Sequence, residues 1–271
     1  MFEGDKRSVD RMAPLLKRVL IADPMPASAR LFSDIMRDIA RSHLWTAPGA
    51  DRALKIAQTC DPQLIVVELG DENFDGLAFV RKVRRSTWSC RQVPIITVTG
   101  TATASAILAA RDAGVHEFLR KPYSMKDLVR RLEAVTLKER DWVEGVGYIG
   151  PDRRRFNSGE YAGDLKRRTD GSETPYQQKI NQALKIVRAA VAASETDPEQ
   201  AMRAMVTQAN GLQSTATDFR LTLAASEFYR HLSKCAHAGG RFTRAEAQGW
   251  AAPLLKFLPK DADTGRGKVA A

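Results

Sequence analysis

Apolar residues recur in two different rhythms along this chain, and the rhythm changes near residue 140. In the first part, short apolar runs bounded by turn-forming residues alternate with stretches in which apolar side chains return every three or four positions. RVLIA (18–22) is rich in branched residues and is followed by Asp23-Pro24-Met25-Pro26, which ends a strand and starts a helix. ASARLFSDIMRDIA then places Leu31, Ile35, Met36 and Ile39 at helical spacing. The alternation continues through LWTA (44–47), a helix carrying Ala53, Ile56 and Ala57, and the run LIVVE (64–68). After Asp75-Gly76 come a helix with Leu77, Phe79, Val80 and Val83, the run PIITVT (94–99), and an alanine-rich helix from about Ala102 to Ala113. EFLRK (117–121) stops at Pro122, and a last helix from Ser124 carries Leu128, Leu132 and Val135. Strands apolar on both faces and separated by helices make a parallel sheet covered on both sides. The expected fold of residues 17–137 is α/β, a five-stranded doubly wound parallel sheet.

From Pro175 the period is helical throughout. Tyr176, Ile180, Leu184, Val187 and Val191 form one stripe, and Asp197-Pro198 opens a second helix with Met202, Met205, Val206 and Leu212. A third holds Phe219, Leu223, Phe228, Leu232 and Cys235 and ends at Ala238-Gly239-Gly240, and Thr243 caps a fourth with Trp250, Leu254, Leu255 and Leu258. Short turns between them predict an all-α antiparallel bundle over 175–259. Residues 138–174 are polar with scattered Gly and Pro, the composition of a charged linker, although the helix from Ser124 is expected to continue through LEAVTLKERDWVE. Residues 1–16 read as an N-terminal extension and 260–271 as a disordered tail.

The length of 271 residues suits two modest domains, each with its own core. A formal charge of +10 and a pI near 9.7 raise nucleic acid as a partner. The excess is spread thinly: residues 1–137 hold 21 Lys+Arg against 16 Asp+Glu, residues 138–171 hold 8 against 7, and residues 172–271 hold 13 against 9. A DNA-reading module concentrates its charge on one element, so nucleic acid stands as a secondary reading. Cys60, Cys90 and Cys235 have neither paired nor metal-ligand spacing, and their odd number suits a reducing compartment. No apolar run approaches a membrane span, and MFEGDKRSVDRM lacks the apolar core of a signal peptide. The expected location is the cytoplasm, without membrane contact.

In an open parallel sheet the ligand crevice lies beyond the carboxyl ends of the strands. Those ends carry Asp23, Glu68, Thr99 and Lys121. Together with the loop ELGDENFDG, the VTG after the fourth strand and FLRKPYS after the fifth, they make residues 17–137 resemble a response-regulator receiver domain of CheY-like, flavodoxin-like fold. The resemblance implies an acidic pair after the first strand, a phosphoacceptor Asp after the third, Thr or Ser after the fourth, and Lys-Pro after the fifth. It further implies that the acceptor carboxylate attacks a phosphoryl donor while carboxylate-held Mg²⁺ neutralises charge, with Thr99 and Lys121 holding the phosphoryl oxygens.

This chain departs from that pattern twice. Pro24 stands where the second acid belongs, and Glu68 stands at the phosphoacceptor position. Mg²⁺ holds on through few protein groups, so Asp23 and Glu68 are expected to bind it weakly or not at all, and no other cofactor is expected. The glutamate carboxylate reaches about 1.5 Å deeper than that of aspartate. A displacement of that order costs an aligned attack roughly a hundredfold.

Three roles for Glu68 are compatible with this position. Paired with Lys121, it is a fixed charge that biases the Thr99 loop and Phe118, at the switch-aromatic position by resemblance, toward an active-like state without any donor. Alternatively, Glu68 or a neighbour such as Asp71 accepts phosphate slowly, or Glu68 stays hydrated at the crevice rim without a role. Phe118 reads equally well as ordinary strand packing. The implied function is that of a non-enzymatic two-component signalling protein, a pseudo-receiver that regulates or adapts through protein contacts without phosphorylation. Its expected partners are a histidine kinase, a phosphotransferase or another regulator, and a homodimer through the last helices of the receiver is a further option.

Two alternatives arise outside the receiver. Tyr148-Ile-Gly-Pro-Asp-Arg-Arg-Arg155 and Tyr161-Ala-Gly-Asp-Leu-Lys-Arg-Arg168 align at an offset of 13 and carry the basic clusters Arg153, Arg154, Arg155 and Lys166, Arg167, Arg168. Tyr beside clustered Arg suits stacking on bases and pairing with phosphates, hence a DNA- or nucleotide-binding output. A solvated linker, or one that docks on an acidic partner surface, has the same composition. In YRHLSKCAHAGG, His231 has Lys234 at the offset found in histidine phosphotransfer bundles, but Cys235 replaces the small Gly and Leu232 falls one position early. No helix pair shows a recognition-helix pattern, and no kinase, cyclase or phosphodiesterase signature is present.

Overall fold

The computed structural model describes residues 3–72, 74–153 and 174–259. They form two compact units, one holding the chain up to Val143 and again from Tyr148, the other holding Glu144–Gly147 and the helices from Pro175. In the first unit, β1 (Arg18–Ala22), β2 (His43–Ala47), β3 (Leu64–Leu69), β4 (Ile95–Thr99) and β5 (Glu117–Arg120) make one sheet in the order β2-β1-β3-β4-β5. Every neighbouring pair is parallel. The connections are α2 (Pro26–Ala40), α3 (Ala50–Cys60), α4 (Gly76–Arg85) and α5 (Ala104–Asp112), and α6 (Met125–Thr136) follows β5.

Strand side chains alternate between the two faces, and over the central strands β3 and β4 both faces are dry, while the edge strand β2 is partly exposed. Val19, Ile21, Leu64, Val66, Ile96, Val98 and Leu119 face one layer with α2 and α6, while Leu20, Ile65, Val67, Ile95 and Phe118 face the other with α3, α4 and α5. Local sequence sets the helix starts. Pro26 opens α2, Asp75 accepts from Ala78 N–H at the start of α4, and Ser124 with Asp127 forms a capping box on α6. Gly76 is required by the loop that leaves β3, since a Cβ there would lie 2.6 Å from Glu68 O and 2.7 Å from Leu69 Cδ2.

Two segments depart from their sequence reading. The stretch read as an N-terminal extension contains α1 (Glu3–Met12), which packs on α2 and α6 and sends Val9 and Met12, with the following Leu16, into the first core layer. The helix from Ser124 does not continue through residues 137–144. It stops at Thr136, and the chain enters β6 (Trp142–Glu144), which pairs with β7 (Ile149–Pro151) in a two-stranded sheet. The described start of the polar linker is therefore folded.

The cause lies in Arg84, a buried arginine near the end of α4. Its Nε donates to Gly114 O (2.9 Å), Nη1 to Arg91 O (2.6 Å) and Val93 O (2.9 Å), and Nη2 to His116 Nδ1 (3.1 Å). The Trp142 ring covers this guanidinium at 5.3 Å and that of Arg91 at 5.7 Å. Gly114 has φ +93°, and a Cβ there would lie 2.4 Å from Ile149 O, so only glycine lets β7 approach. Tyr148 donates to Pro151 O at 2.6 Å, and Arg153 lies 4.4 Å over the Tyr148 ring while pairing with Asp112 at 2.8 Å.

In the second unit, α7 (Pro175–Ala192), α8 (Pro198–Thr215), α9 (Phe219–His237) and α10 (Arg244–Leu255) pack in a closed ring of neighbours, α7 on α8, α8 on α9, α9 on α10 and α10 on α7. Leu184, Val187, Met205, Leu212, Phe228, Leu232 and Leu254 fill their common core. Capping boxes at Thr174–Gln177 and Thr243–Glu246, and Asp197 and Asp218 at the other two starts, fix the helix boundaries. Glu144 is buried in this unit, accepting from Gln200 Nε2 at 2.9 Å through its carboxylate and from Gln208 Nε2 at 3.1 Å through its carbonyl.

Candidate functional site

The parity of each strand decides which strand-end groups meet. Asp23 follows Val19 and Ile21, Glu68 follows Leu64 and Val66, and Lys121 follows Leu119, so all three continue the series that faces the α2 layer. They converge at the carboxyl ends of β1, β3 and β5. Lys121 Nζ lies 2.5 Å from Glu68 Oε2, 2.9 Å from Ser28 Oγ on the first turn of α2, and 3.9 Å from Asp23 Oδ2. Glu68 is 9% exposed and Asp23 is 8% exposed, so the ammonium sits at the mouth of a nearly dry acidic crevice. A charge-assisted hydrogen bond of this length is among the stronger polar contacts available to side chains.

Asp23 has its own local task. Its Oδ1 accepts from Met25 N–H at 2.8 Å, which holds the turn into α2 that presents Ser28. Thr99 has the opposite parity on β4, and its hydroxyl accepts from Thr101 N–H at 3.1 Å within its own loop. The contact of Thr99 with Lys121 is through the backbone, Lys121 N–H donating to Thr99 O at 2.7 Å. Phe118 is buried in the layer beneath α3, α4 and α5. Ser28 was not legible as a site residue, because a serine in the first turn of a helix carries no sign that a lysine 93 residues away will reach it.

Burial pushes the Glu68 carboxyl above the ordinary glutamate range, Lys121 pulls it back down, and Asp23 and Asp71 add to the rise. The ionised group is thus harder to hold in the fold than in the unfolded chain. The stability contributed by Glu68 is fully present below the ordinary glutamate pKa and is lost as pH rises through the raised value. We expect the stability difference between the native chain and Glu68→Gln, read from urea midpoints, to move in favour of the glutamine variant between about pH 4 and about pH 7. A difference constant over that range would mean that Glu68 titrates like a free glutamate.

The donor set fits Mg²⁺ poorly. Glu68 Oε2 is taken by Lys121, Asp23 Oδ1 by Met25 N–H, and Pro24 has no side-chain ligand to offer. Mg²⁺ demands near-octahedral oxygen ligands, and an ammonium within reach of both carboxylates opposes it. Among the described residues, no group of three His, Cys, Asp or Glu side chains is placed to hold a metal ion.

The remaining sequence candidates lie elsewhere. Arg153 is committed to Asp112 and Tyr148, while Arg154, Arg155, Lys166, Arg167 and Arg168 lie outside the described residues, as does the tail from 260. His231 is exposed on α9 and stacks on Trp250 with ring centroids 5.8 Å apart and planes 8° from parallel. Among the described residues no helix is long and apolar enough to cross a membrane.

Comparison with known proteins bears on the same segment. The family described as the response regulator receiver domain matches residues 19–133. The KDP operon transcriptional regulatory protein KdpE of Escherichia coli (strain K12) is 36% identical over 89 residues, which is 33% of this chain and 38% of KdpE. The transcriptional regulatory protein PdtaR of Mycobacterium tuberculosis is 25% identical over 151 residues, covering 56% of this chain and 72% of PdtaR. The chain thus spans well under half the length of KdpE. Among solved structures, the chemotaxis protein CheY4 of Vibrio cholerae is 23% identical, covers 44% of this chain and 98% of its own, and has a TM-score of 0.41. With a parallel sheet in the order β2-β1-β3-β4-β5 and Asp23, Glu68, Thr99 and Lys121 at its strand ends, residues 19–133 are a two-component response regulator receiver domain.

Proposed function

We propose that this receiver is a pseudo-receiver, a non-enzymatic regulator that works through protein contacts and does not depend on phosphorylation or on Mg²⁺. The observation that carries the reading is the 2.5 Å contact between Lys121 Nζ and Glu68 Oε2. By resemblance that lysine would hold a phosphoryl oxygen, and here a side-chain carboxylate of the same chain already occupies it. The pair sets one arrangement of the crevice permanently, without a donor. Its partners are proteins of the signalling pathway, a histidine kinase, a phosphotransferase or another regulator. KdpE and PdtaR are named as transcriptional regulatory proteins, which supports a transcriptional output as a second reading. Against direct contact with nucleic acid stands Arg153, which is already paired within the receiver unit.

The test is intact mass after incubation with acetyl phosphate and Mg²⁺. The native chain is expected to stay unmodified, and the Glu68→Asp/Pro24→Asp variant to gain one phosphoryl group. A native chain that gains the group, mapped to Glu68 or Asp71, would overturn the reading. A double variant that stays unmodified would locate the block outside these two positions.

A further inference from the structure

The outward face of α9 carries a pattern that the bundle core does not use. Phe219, Leu223, Glu227, Arg230, Lys234 and His237 are all exposed and stand three or four residues apart along the 19 residues of the helix. At 3.6 residues per turn they fall within about 80° of arc, a single stripe. Phe219 is 77% exposed and Leu223 is 48% exposed, the former the most exposed large apolar side chain of the described residues.

Read from either end, this stripe complements itself. If a second α9 lies antiparallel, with a two-fold axis between Glu227 and Arg230, then Glu227 faces Arg230 of the second copy and Leu223 faces Lys234. Phe219 then falls within one residue of His237 of the second copy, on the same stripe. Each contact occurs twice, as an isologous interface requires. Glu227 and Arg230 form two ion pairs across the axis, the aliphatic stem of Lys234 covers Leu223, and the imidazole of His237 meets the Phe219 ring. A parallel arrangement would instead set Arg230 against Arg230 and Lys234 against Lys234.

From this antiparallel complementarity, an ion pair at the axis with long-stemmed cations over the apolar side chains, we infer that α9 is a homodimer contact, and that its occupant is α9 of a second copy of this chain in antiparallel register. The contact is independent of the receiver crevice and of the reading proposed for it. A pair of 19-residue helices is about 28 Å long, which puts the interface at the small end of stable contacts and makes the dimer dependent on concentration.

Sedimentation equilibrium of the full chain tests this with substitutions on exposed positions, each checked for an unchanged circular dichroism melt. The native chain is expected to associate as a dimer. Arg230→Glu or Glu227→Arg alone sets like charges across the axis twice and should weaken the dimer at least about tenfold, while Glu227→Arg/Arg230→Glu together should return it to within about threefold of native. Phe219→Ser/Leu223→Ser should leave a monomer. The inference is overturned if the native chain is monomeric at all concentrations, if the double reversal is as weak as either single one, or if a dimer forms that none of these substitutions alters.

Discussion

Replacing Glu117 with alanine is expected to destabilise the receiver unit by about 3–5 kcal/mol, the cost of removing one partner from a buried ion pair. Glu117 is 1% exposed, and it faces two arginines whose side chains are themselves 4% and 5% exposed. Arg131 Nη1, from α6, donates to its Oε2 at 3.0 Å, and Arg140 Nη2 donates to its Oε1. Arg140 also donates through Nη1 to His116 O at 2.7 Å, so the carboxylate ties the end of α6 and the chain beyond it to the start of β5. Alanine would leave two cations in a dry site with no carboxylate between them. Glu117→Gln keeps the shape and one acceptor but loses the charge, and should fall between native and alanine. Urea unfolding measures the difference, and a loss below about 1 kcal/mol would mean that the arginines escape to water when released.

Arg84→Met is expected to cost about 3–5 kcal/mol, since methionine keeps much of the volume but leaves Gly114 O, Arg91 O and Val93 O without the donor that satisfied them, each such loss costing about 1–3 kcal/mol. Burial pushes the guanidinium down to about 9, so it remains charged at neutral pH, with three carbonyls and an imidazole arranged around it. His116 Nδ1 accepts from Ile95 N–H at 3.2 Å as well as from Arg84, which fixes its proton on Nε2 and keeps the ring neutral. Burial holds its pKa well below the usual histidine value, and the charges of Arg84 and Arg140 add to that effect. Because Trp142 and the Gly114–Ile149 contact close over the same group, the loss should be felt in β7. Amide exchange at Ile149 and Gly150 is expected to quicken at least about tenfold while α7–α10 exchange unchanged. Equal quickening in both units would show that the hairpin is not held by Arg84.

Much of the receiver is legible in the sequence because its central strands β3 and β4 are buried along their whole length, which leaves runs such as LIVVE with no competing interpretation. The rule that ligands lie beyond the strand ends then groups Asp23, Glu68, Thr99 and Lys121 before any coordinates are known, and strand parity in the structure separates Thr99 from the other three. Arg84 shows what a charge run conceals. In RKVRR it looks like one of several solvated bases, yet it lies four residues after Val80, on the same stripe as Phe79 and Val83, while Arg81, Lys82 and Arg85 are exposed. The hairpin leaves no signal in the sequence for a different reason. Strands of three residues are too short to display alternation, and their cover comes from side chains remote in sequence. The N-terminal helix had a readable signal in the spacing of Val9, Met12 and the following Leu16, but within Glu3–Met12 only Val9 and Met12 are apolar against a strongly polar background.

On the face toward α2, the crevice groups stand next in line after the last core side chains of β1, β3 and β5, Ile21, Val66 and Leu119, and this has a consequence for descent. Val66 or Ile21 can change only at the expense of the scaffold, whereas the positions of Glu68 and Asp23 can be rewritten singly with the layers beneath them untouched. A lineage of such domains can therefore exchange its reaction for another use by a few substitutions at the rim, and hand on the same architecture to descendants that no longer share its chemistry.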